Sequence, residues 1–133
     1  MTEAPRFELV PLRRLRGHEE HEADRVDELM AEIRRAGAFV EPIWVARDTW
    51  VILNGHHRVE ALRRLGAKRI PAWVFDYESD IIRVERWRGG SPMPKSDVVR
   101  RSTQGRPFPP KSTRHRVTVD LPPKSVPLAE LLD

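Results

Sequence analysis

The stretch "VILNGHHRVEALRRLG" (51–66) joins an apolar run to a helical pattern, and this junction decides the fold. Its opening residues are apolar and β-branched, as in a short buried strand. Val59, Leu62 and Leu65 then recur at the spacing of one helix face, and Gly66 is typical of a residue that ends a helix. The junction therefore predicts a strand, a polar turn and a helix in direct succession.

The turn itself, NGHHR (54–58), is rich in hydrogen-bond donors. Gly55 has no side chain, so backbone N–H groups there can approach a ligand closely, and a helix N-terminus favours anions. The side chains of His56, His57 and Arg58 add donors that suit phosphate oxygens. The turn indicates an anion-binding cradle, although residue chemistry also leaves open a polar helix start with solvated side chains.

Patterns on both sides of this junction predict the other elements. Before the junction, we expect an edge strand at 8–15, a helix with Val26, Leu29, Met30 and Ile33 on its core face and Gly37 at its end, and a first hairpin strand at 42–46 that pairs with the strand at 50–54. After it, we expect a strand at 69–77, helices at 79–87 and 97–104, and a strand at 114–119. Pro11 indicates an edge strand and Pro71 an edge or a strand start, because proline has no N–H to donate. Ser79 and Ser96 are the predicted caps of the two later helices. The predicted fold class is α+β, a small mixed sheet packed by helices.

Length and composition limit the class of protein. With 133 residues, 39% of them hydrophobic, the chain suits one compact unit with a modest core. It has no cysteine, which excludes disulfides, thiolate metal sites and cysteine nucleophiles. No apolar run approaches the roughly 20 residues that span a bilayer, and the N-terminus lacks the pattern of a secretion signal. We therefore expect a cytoplasmic protein without a membrane partner.

Charge and proline are unevenly distributed along the chain. Residues 1–90 carry 16 basic and 16 acidic residues, whereas residues 91–133 carry 8 basic and 4 acidic residues and 8 of the 12 prolines. This change predicts a core over 1–90 and a proline-rich C-terminal extension over 91–133, within one compact domain. The basic residues of the extension are scattered among prolines, so we expect a small anionic ligand as their partner rather than nucleic acid.

Two further groups of polar residues carry candidate chemistry. Glu19 and its acidic neighbours precede the first helix, where they favour its positive end, and one of them could act as a general base. His18 and His21 are three residues apart, but no zinc signature such as HExxH accompanies them, so zinc is not favoured. The segment PPKSTRH (109–115) is held extended by its prolines, and its side chains suit a carboxylate or phosphate; an ordinary basic linker is the alternative.

These segments together resemble the ParB/sulfiredoxin-like superfamily, and most closely its free L-serine kinases. The resemblance is carried by "VILNGHHRVEALRRLGAKRIPAWVFDY" (51–77), "LVPLRRLRGHE" (9–19), "VERWR" (84–88) and "FPPKSTRH" (108–115). It implies a nucleotide-binding core and transfer of a phosphoryl group from ADP or ATP to free L-serine or a close analogue, with Mg²⁺ as the bridging ion. The product would be O-phospho-L-serine, and the extension would complete the amino-acid pocket.

The resemblance also implies roles for individual residues. Glu19 matches the general base for the serine hydroxyl. The turn that binds the nucleotide phosphates is matched by Gly55, His56, His57 and Arg58, of which His57, together with Asn54, also lies at the implied catalytic centre. The amino-acid pocket is matched by Trp87, Ser112, Thr113, Arg114 and His115.

One position departs from the family pattern, and other functions remain open. The family turn usually begins with Asp, whereas this chain has Asn54, whose amide is uncharged but can still be a neutral Mg²⁺ ligand. A ParB-type nucleotide-dependent DNA-binding or partition module is expected to continue into a helix-turn-helix domain, where this chain has its proline-rich segment. A sulfiredoxin-like reductase needs a cysteine in the turn. A non-catalytic sensor would bind nucleotide and amino acid without turnover.

Overall fold

The computed structural model describes residues 4–133. Within that range the strands are β1 (Arg6–Pro11), β2 (Ala38–Phe39), β3 (Ile43–Ala46), β4 (Ile52–Asn54), β5 (Arg69–Phe75), β6 (Ile82–Arg86), β7 (Thr113–Val117) and β8 (Val126–Pro127). The helices are α1 (Ala23–Ala36), α2 (His56–Arg64), α3 (Lys95–Thr103) and α4 (Leu128–Leu132). The central sheet has the order β1-β5-β3-β4. In it β3 and β5 run parallel and the other pairs antiparallel, which confirms the predicted mixed sheet and α+β class.

Each face of the central sheet carries a hydrophobic core. β5 shows the division, because Ile70 and Val74 belong to the first core whereas Trp73 and Phe75 belong to the second, as the alternation of side chains along a strand requires. Helices α1 and α2 pack together over the first core through Val26, Leu29, Ile33, Val59 and Leu62. Gly37 adopts a left-handed conformation after α1, as predicted for the residue that ends it.

The predicted helix at 79–87 is wrong, because this segment forms the strand β6. β6 pairs antiparallel with β7 in a separate two-stranded sheet. Ile82 and Val84 are buried while Arg83 between them is exposed, and this period of two indicates a strand. Ser79 does accept a hydrogen bond from the backbone N–H of Ile81, but it does so in a turn rather than at a helix start.

Two further local predictions concern Pro71 and Ser96. β5 lies inside the sheet, so the edge alternative for Pro71 is wrong, but Pro71 does lie near the start of the strand. The parallel pairing with β3 begins only at the next residue, Ala72. The missing N–H of proline therefore costs no bond to β3. α3 begins at Lys95 without a side-chain cap, so Ser96 lies in its first turn and does not cap it.

Residues after 90 contribute to both cores instead of extending away from them. Val98 of α3 is buried in the second core and Leu131 of α4 in the first. β8 pairs with β2, which follows α1. The proposed boundary at residue 90 stays a prediction. None of the helices in the described part of the chain combines the length and apolar character needed to cross a membrane.

Candidate active site

The strand-to-helix junction lies where the sequence predicts it, and Gly55 fits it for two reasons. Gly55 has φ of +109°, a left-handed conformation that side chains disfavour. A Cβ added there would lie 2.5 Å from Cγ2 of Ile43 on β3. The glycine is therefore required both by the backbone turn and by the close approach of β3.

The N-terminus of α2 leaves backbone donors open. No side chain in the described range caps the helix, and the first helical hydrogen bond runs from the N–H of Val59 to the carbonyl of Gly55, at 3.0 Å. The N–H groups of His56, His57 and Arg58 precede that bond and have no partner within the helix. Together with the helix dipole, they form an anion site beside a cavity of about 770 Å³.

The two histidine rings of the turn bind the segment that carries Glu19. Nε2 of His56 accepts hydrogen bonds from the backbone N–H groups of His18 (3.0 Å) and Glu19 (3.3 Å). Nε2 of His57 accepts one from the N–H of Glu22, also at 3.0 Å. An accepting Nε2 places the proton of a neutral ring on Nδ1, which is the one ring donor left for a ligand.

Burial explains why these rings are neutral. It lowers the pKa of His56 well below its usual value, and the nearby histidines lower it further. Burial also lowers the pKa of His57, against a smaller opposite effect of Glu22. The rings therefore contribute hydrogen bonds rather than charge at neutral pH, whereas the helix N-terminus adds positive character to the anion site.

Arg58 is engaged by the protein rather than extended into solvent. Its Nη1 donates to the carbonyls of Glu41 (2.5 Å) and Pro42 (3.2 Å), and its Nη2 donates to Oδ1 of Asn54 (3.1 Å). The guanidinium thus fixes the chain before β3 and the last residue of β4. It also occupies the Asn54 oxygen that the sequence suggests as a metal ligand.

The Glu19 carboxylate joins two segments that are distant in sequence. Oε1 accepts a hydrogen bond from the N–H of Lys111 (2.8 Å), and Oε2 accepts from the N–H (3.1 Å) and the hydroxyl (2.5 Å) of Thr113. Backbone hydrogen bonds to Phe108 hold the chain on both sides of Glu19. The "HE" and "PPKSTRH" segments therefore meet at one carboxylate.

A buried polar cluster lies behind this carboxylate. His18 is fully buried, and its Nε2 lies 2.7 Å from the Thr113 hydroxyl. His115 is also buried, and its Nε2 lies 2.8 Å from the hydroxyl of Tyr77. Burial lowers the pKa of His18 to about 4 and that of His115 to about 3, so both rings are neutral at pH 7.

Trp87 and Arg114 form a more open part of the cavity wall. The Arg114 guanidinium lies 5.6 Å from the centre of the Trp87 ring, within the range of a cation–π contact. Both Nε and Nη2 of Arg114 lie 3.0 Å from Oε1 of Glu85 on β6. Trp87 is 43% exposed, and its backbone N–H donates to the carbonyl of Ser112.

The structure brings nearly all of the predicted site residues to one cavity. Those that line it are Glu19, Asn54, Gly55, His56, His57, Arg58, Trp87, Thr113, Arg114 and His115. Ser112 lies outside the lining, and its hydroxyl instead closes a turn by donating to the carbonyl of Pro109.

The sequence prediction missed the wall formed by α1. Asp24, Glu28 and Glu32 line the cavity from this helix, beside the apolar Leu29 and Ile33. The signal was present, because acids four residues apart share one face of a helix. Their position next to the core stripe could have identified a cavity wall.

The predicted Mg²⁺ ligand Asn54 and the Glu19 carboxylate already accept hydrogen bonds within the protein. Oδ1 of Asn54 accepts from Arg58, and both Glu19 oxygens accept from the 111–113 segment. Residues 4–133 contain no cluster of three histidine, aspartate or glutamate side chains that could hold a metal ion. The metal role of Asn54 stays a prediction.

Comparisons with known proteins give the relationships of the chain. Over 71% of its length it is 29% identical to the "ADP-dependent L-serine kinase SerK" of Thermococcus kodakarensis, and the match covers 41% of that protein. Over 59% of its length it is 34% identical to an "ATP-dependent L-serine kinase" of Staphylothermus marinus, and the match covers 33% of that protein. The chain thus spans a third to two fifths of the length of these relatives.

Comparison with solved structures agrees with these sequence relationships. A solved structure, "Free serine kinase in complex with AMP", superposes with a TM-score of 0.84 over 98% of this chain and 95% of that one, at 18% identity. The chain therefore shares the fold of that protein. The family model for the ParB N-terminal domain matches residues 6–84, which confirms the predicted ParB/sulfiredoxin-like fold. Because that match covers more than half of the sequence, the chain belongs to the ParB N-terminal domain family.

Proposed function

We propose that this chain is a kinase that transfers a phosphoryl group from ADP or ATP to the hydroxyl of free L-serine, or of a close serine analogue, to give O-phospho-L-serine. One observation carries the proposal: the Glu19 carboxylate and the open N-terminus of α2 line the same cavity of about 770 Å³. A phosphate-binding helix end and a carboxylate near the acceptor are what a phosphotransferase with an alcohol acceptor needs. The names of the relatives support the choice of serine and nucleotide.

The proposed reaction places the nucleotide phosphates at the N-terminus of α2. The backbone N–H groups of His56, His57 and Arg58 bind phosphate oxygens, and the Nδ1–H groups of the two rings are further donors. The serine hydroxyl oxygen attacks the terminal phosphorus, and Glu19 accepts the hydroxyl proton. A new O–P bond forms while the bond from phosphorus to the bridging oxygen breaks, and its electron pair leaves with AMP or ADP.

The amino acid is proposed to bind on the other side of Glu19. Trp87 supplies an aromatic surface, and the part of the Arg114 guanidinium that Glu85 does not engage suits the serine carboxylate. Thr113 and His115 form the adjacent wall, with Ser112 supporting the turn behind it. In this scheme Asn54 acts through Arg58 by fixing the end of β4, and Mg²⁺ accompanies the nucleotide. Both substrates are cytoplasmic metabolites, which supports that location, and the scheme assigns no role to nucleic acid.

The test is direct. The chain is incubated with Mg²⁺, L-serine and either ADP or ATP, and O-phospho-L-serine is measured by mass spectrometry. We expect product with at least one donor and a loss of at least about a hundredfold in kcat in Glu19→Gln, which removes the base. Glu20→Gln is the matched control, because Glu20 is exposed and does not line the cavity.

Two outcomes separate the alternatives. If neither donor gives product and neither ligand raises the melting temperature, the kinase proposal is wrong. If serine and nucleotide bind without turnover, the chain is a non-catalytic sensor.

The variant Asn54→Asp restores the carboxylate of the family pattern beside Arg58, and we expect it to be at least as active as the natural chain.

A further inference from the structure

Three polar side chains form a continuous chain from the protein interior to the cavity. Nε2 of His18 lies 2.7 Å from the Thr113 hydroxyl, which in turn lies 2.5 Å from Oε2 of Glu19. His18 is fully buried and Thr113 is 5% exposed. Its spacing from His21 suggests His18 only as a metal ligand, and the proposed reaction gives it no role.

The number of available protons fixes which group donates and which accepts in each of these hydrogen bonds. A threonine hydroxyl has one proton to donate, and an ionised carboxylate can only accept. The Thr113 proton therefore points to Glu19, and the hydroxyl oxygen must accept from His18. A neutral His18 ring satisfies this requirement only in the tautomer with its proton on Nε2.

The two carboxylate oxygens of Glu19 then accept different numbers of hydrogen bonds. Oε2 accepts two hydrogen bonds, from the N–H and the hydroxyl of Thr113, whereas Oε1 accepts one, from the N–H of Lys111. A carboxylate oxygen has about two acceptor positions, so Oε1 keeps one open. That oxygen is available for a ligand hydroxyl.

We propose that His18 and Thr113 are positioning residues for Glu19: His18 donates from Nε2 to the Thr113 hydroxyl and directs its proton to Oε2 of Glu19. Oε1 is thereby left to receive the proton of the substrate hydroxyl, a consequence that rests on the proposed kinase function. Burial lowers the pKa of His18, so the ring is neutral and carries a single proton, which this arrangement places on Nε2. The backbone of Ile52 opposes this effect of burial on the pKa, but Nδ1 of His18 makes no hydrogen bond within the described residues.

The first test separates positioning from substrate binding. Thr113→Val keeps the side-chain shape and the backbone N–H but removes the hydroxyl, whereas Thr113→Ser keeps the hydroxyl. Because hydrogen bonds to charged groups are strong, we expect kcat to fall about tenfold or more in the valine variant, with KM for the nucleotide unchanged. The serine variant keeps the hydroxyl and should recover most of the kcat that the valine variant loses. A valine variant with full kcat, or a serine variant that behaves like valine, would overturn the proposal.

The second test does not depend on catalysis. The ¹⁵N chemical shifts of the His18 ring distinguish the tautomers, and we expect Nε2 to carry the proton in the natural chain at pH 7. In Thr113→Val, the proton should move toward Nδ1. If the natural chain has its proton on Nδ1, Thr113 donates to His18 instead, and the proposal is wrong even if the chain is a kinase. If no kinase activity is found, this measurement still decides the hydrogen-bond chain.

Discussion

Gly55 is held by constraints of different origin. The left-handed φ of +109° belongs to the turn, whereas the near contact with Ile43 belongs to the packing of α2 against β3. The sequence suggested a third reason, the approach of a ligand to the backbone. Only the first two act in the folded protein without a ligand, so they can be measured by stability alone.

We expect Gly55→Ala to destabilise the protein more than Gly66→Ala. Both glycines have positive φ, but a Cβ at Gly66 meets nothing within 4 Å, whereas one at Gly55 lies 2.5 Å from Ile43. Strain in φ costs about 1 kcal/mol at each site, and overpacking against Ile43 adds about 1–3 kcal/mol at Gly55. Urea unfolding of the two variants measures the difference. Equal free energies of unfolding would show that β3 moves aside without cost.

The histidines of the turn show the limit of reading residue chemistry alone. The sequence predicts that adjacent histidines at a helix start donate to phosphate, and that role stays a prediction. The sequence does not predict that their Nε2 atoms accept hydrogen bonds from the backbone N–H groups of His18, Glu19 and Glu22. Nothing in a local pattern reveals such partners, because they lie 35 to 38 residues away.

At the scale of elements, local periodicity predicted most of the fold and failed at β6. α1, α2 and the β3–β4 hairpin have clear periods and short-range ends, and their predictions are confirmed. β6 failed because Ile81 and Val84 are three apart, as on a helix, and the partner strand β7 lies some 30 residues later. The alternation of Ile82, Arg83 and Val84 was the local sign of a strand, but it is short, and the pairing with β7 that decides between strand and helix lies outside the segment.

The β6–β7 pair carries a prediction about substrate affinity. Glu85 on β6 holds Arg114 on β7 through Nε and Nη2, so Glu85→Ala should free the guanidinium from its place over Trp87. Because this ion pair is partly exposed, we expect KM for serine to rise only about two- to fivefold, with KM for the nucleotide unchanged. Steady-state kinetics with each substrate varied in turn measures this.

Arg116→Ala provides the matched control for that experiment. Arg116 also pairs with Oε1 of Glu85, at 2.6 Å, but its side chain is 60% exposed and it does not line the cavity. We expect its removal to leave both KM values unchanged. An equal rise in KM for serine in the two variants would contradict this role of the Glu85–Arg114 pair, because Arg116→Ala leaves that pair in place.

At the scale of the whole molecule, the site is made by segments that only the fold brings together. Glu19, the turn at 54–58 and the segment 111–115 meet around one cavity. Their grouping could be expected from the family resemblance, but composition and periodicity could not supply it. The buried cluster behind them, with His18, His115 and Tyr77, follows from the same assembly and was not predicted.

That buried cluster makes stability depend on pH. An unfolded chain protonates its histidines near pH 6.5, whereas burial lowers the pKa of His18 to about 4 and that of His115 to about 3 in the folded protein. Between these values the unfolded state binds more protons, so stability must fall as pH falls. The stability that the neutral buried rings contribute is fully present above about pH 7, and it decreases from about pH 6.5 toward pH 4 and pH 3. At pH 5, His18 alone should lower the free energy of unfolding by about 2 kcal/mol relative to neutral pH.

Urea unfolding at pH 7.5 and pH 5.0 measures this loss, and NMR of the ring protons tests its origin. We expect the His18 and His115 signals to keep their neutral positions down to pH 5 while the free energy of unfolding drops. His21→Gln is the matched control, because it removes an exposed histidine that does not belong to the buried cluster. Equal stability at the two pH values, or rings that titrate near pH 6.5, would contradict the neutral buried cluster.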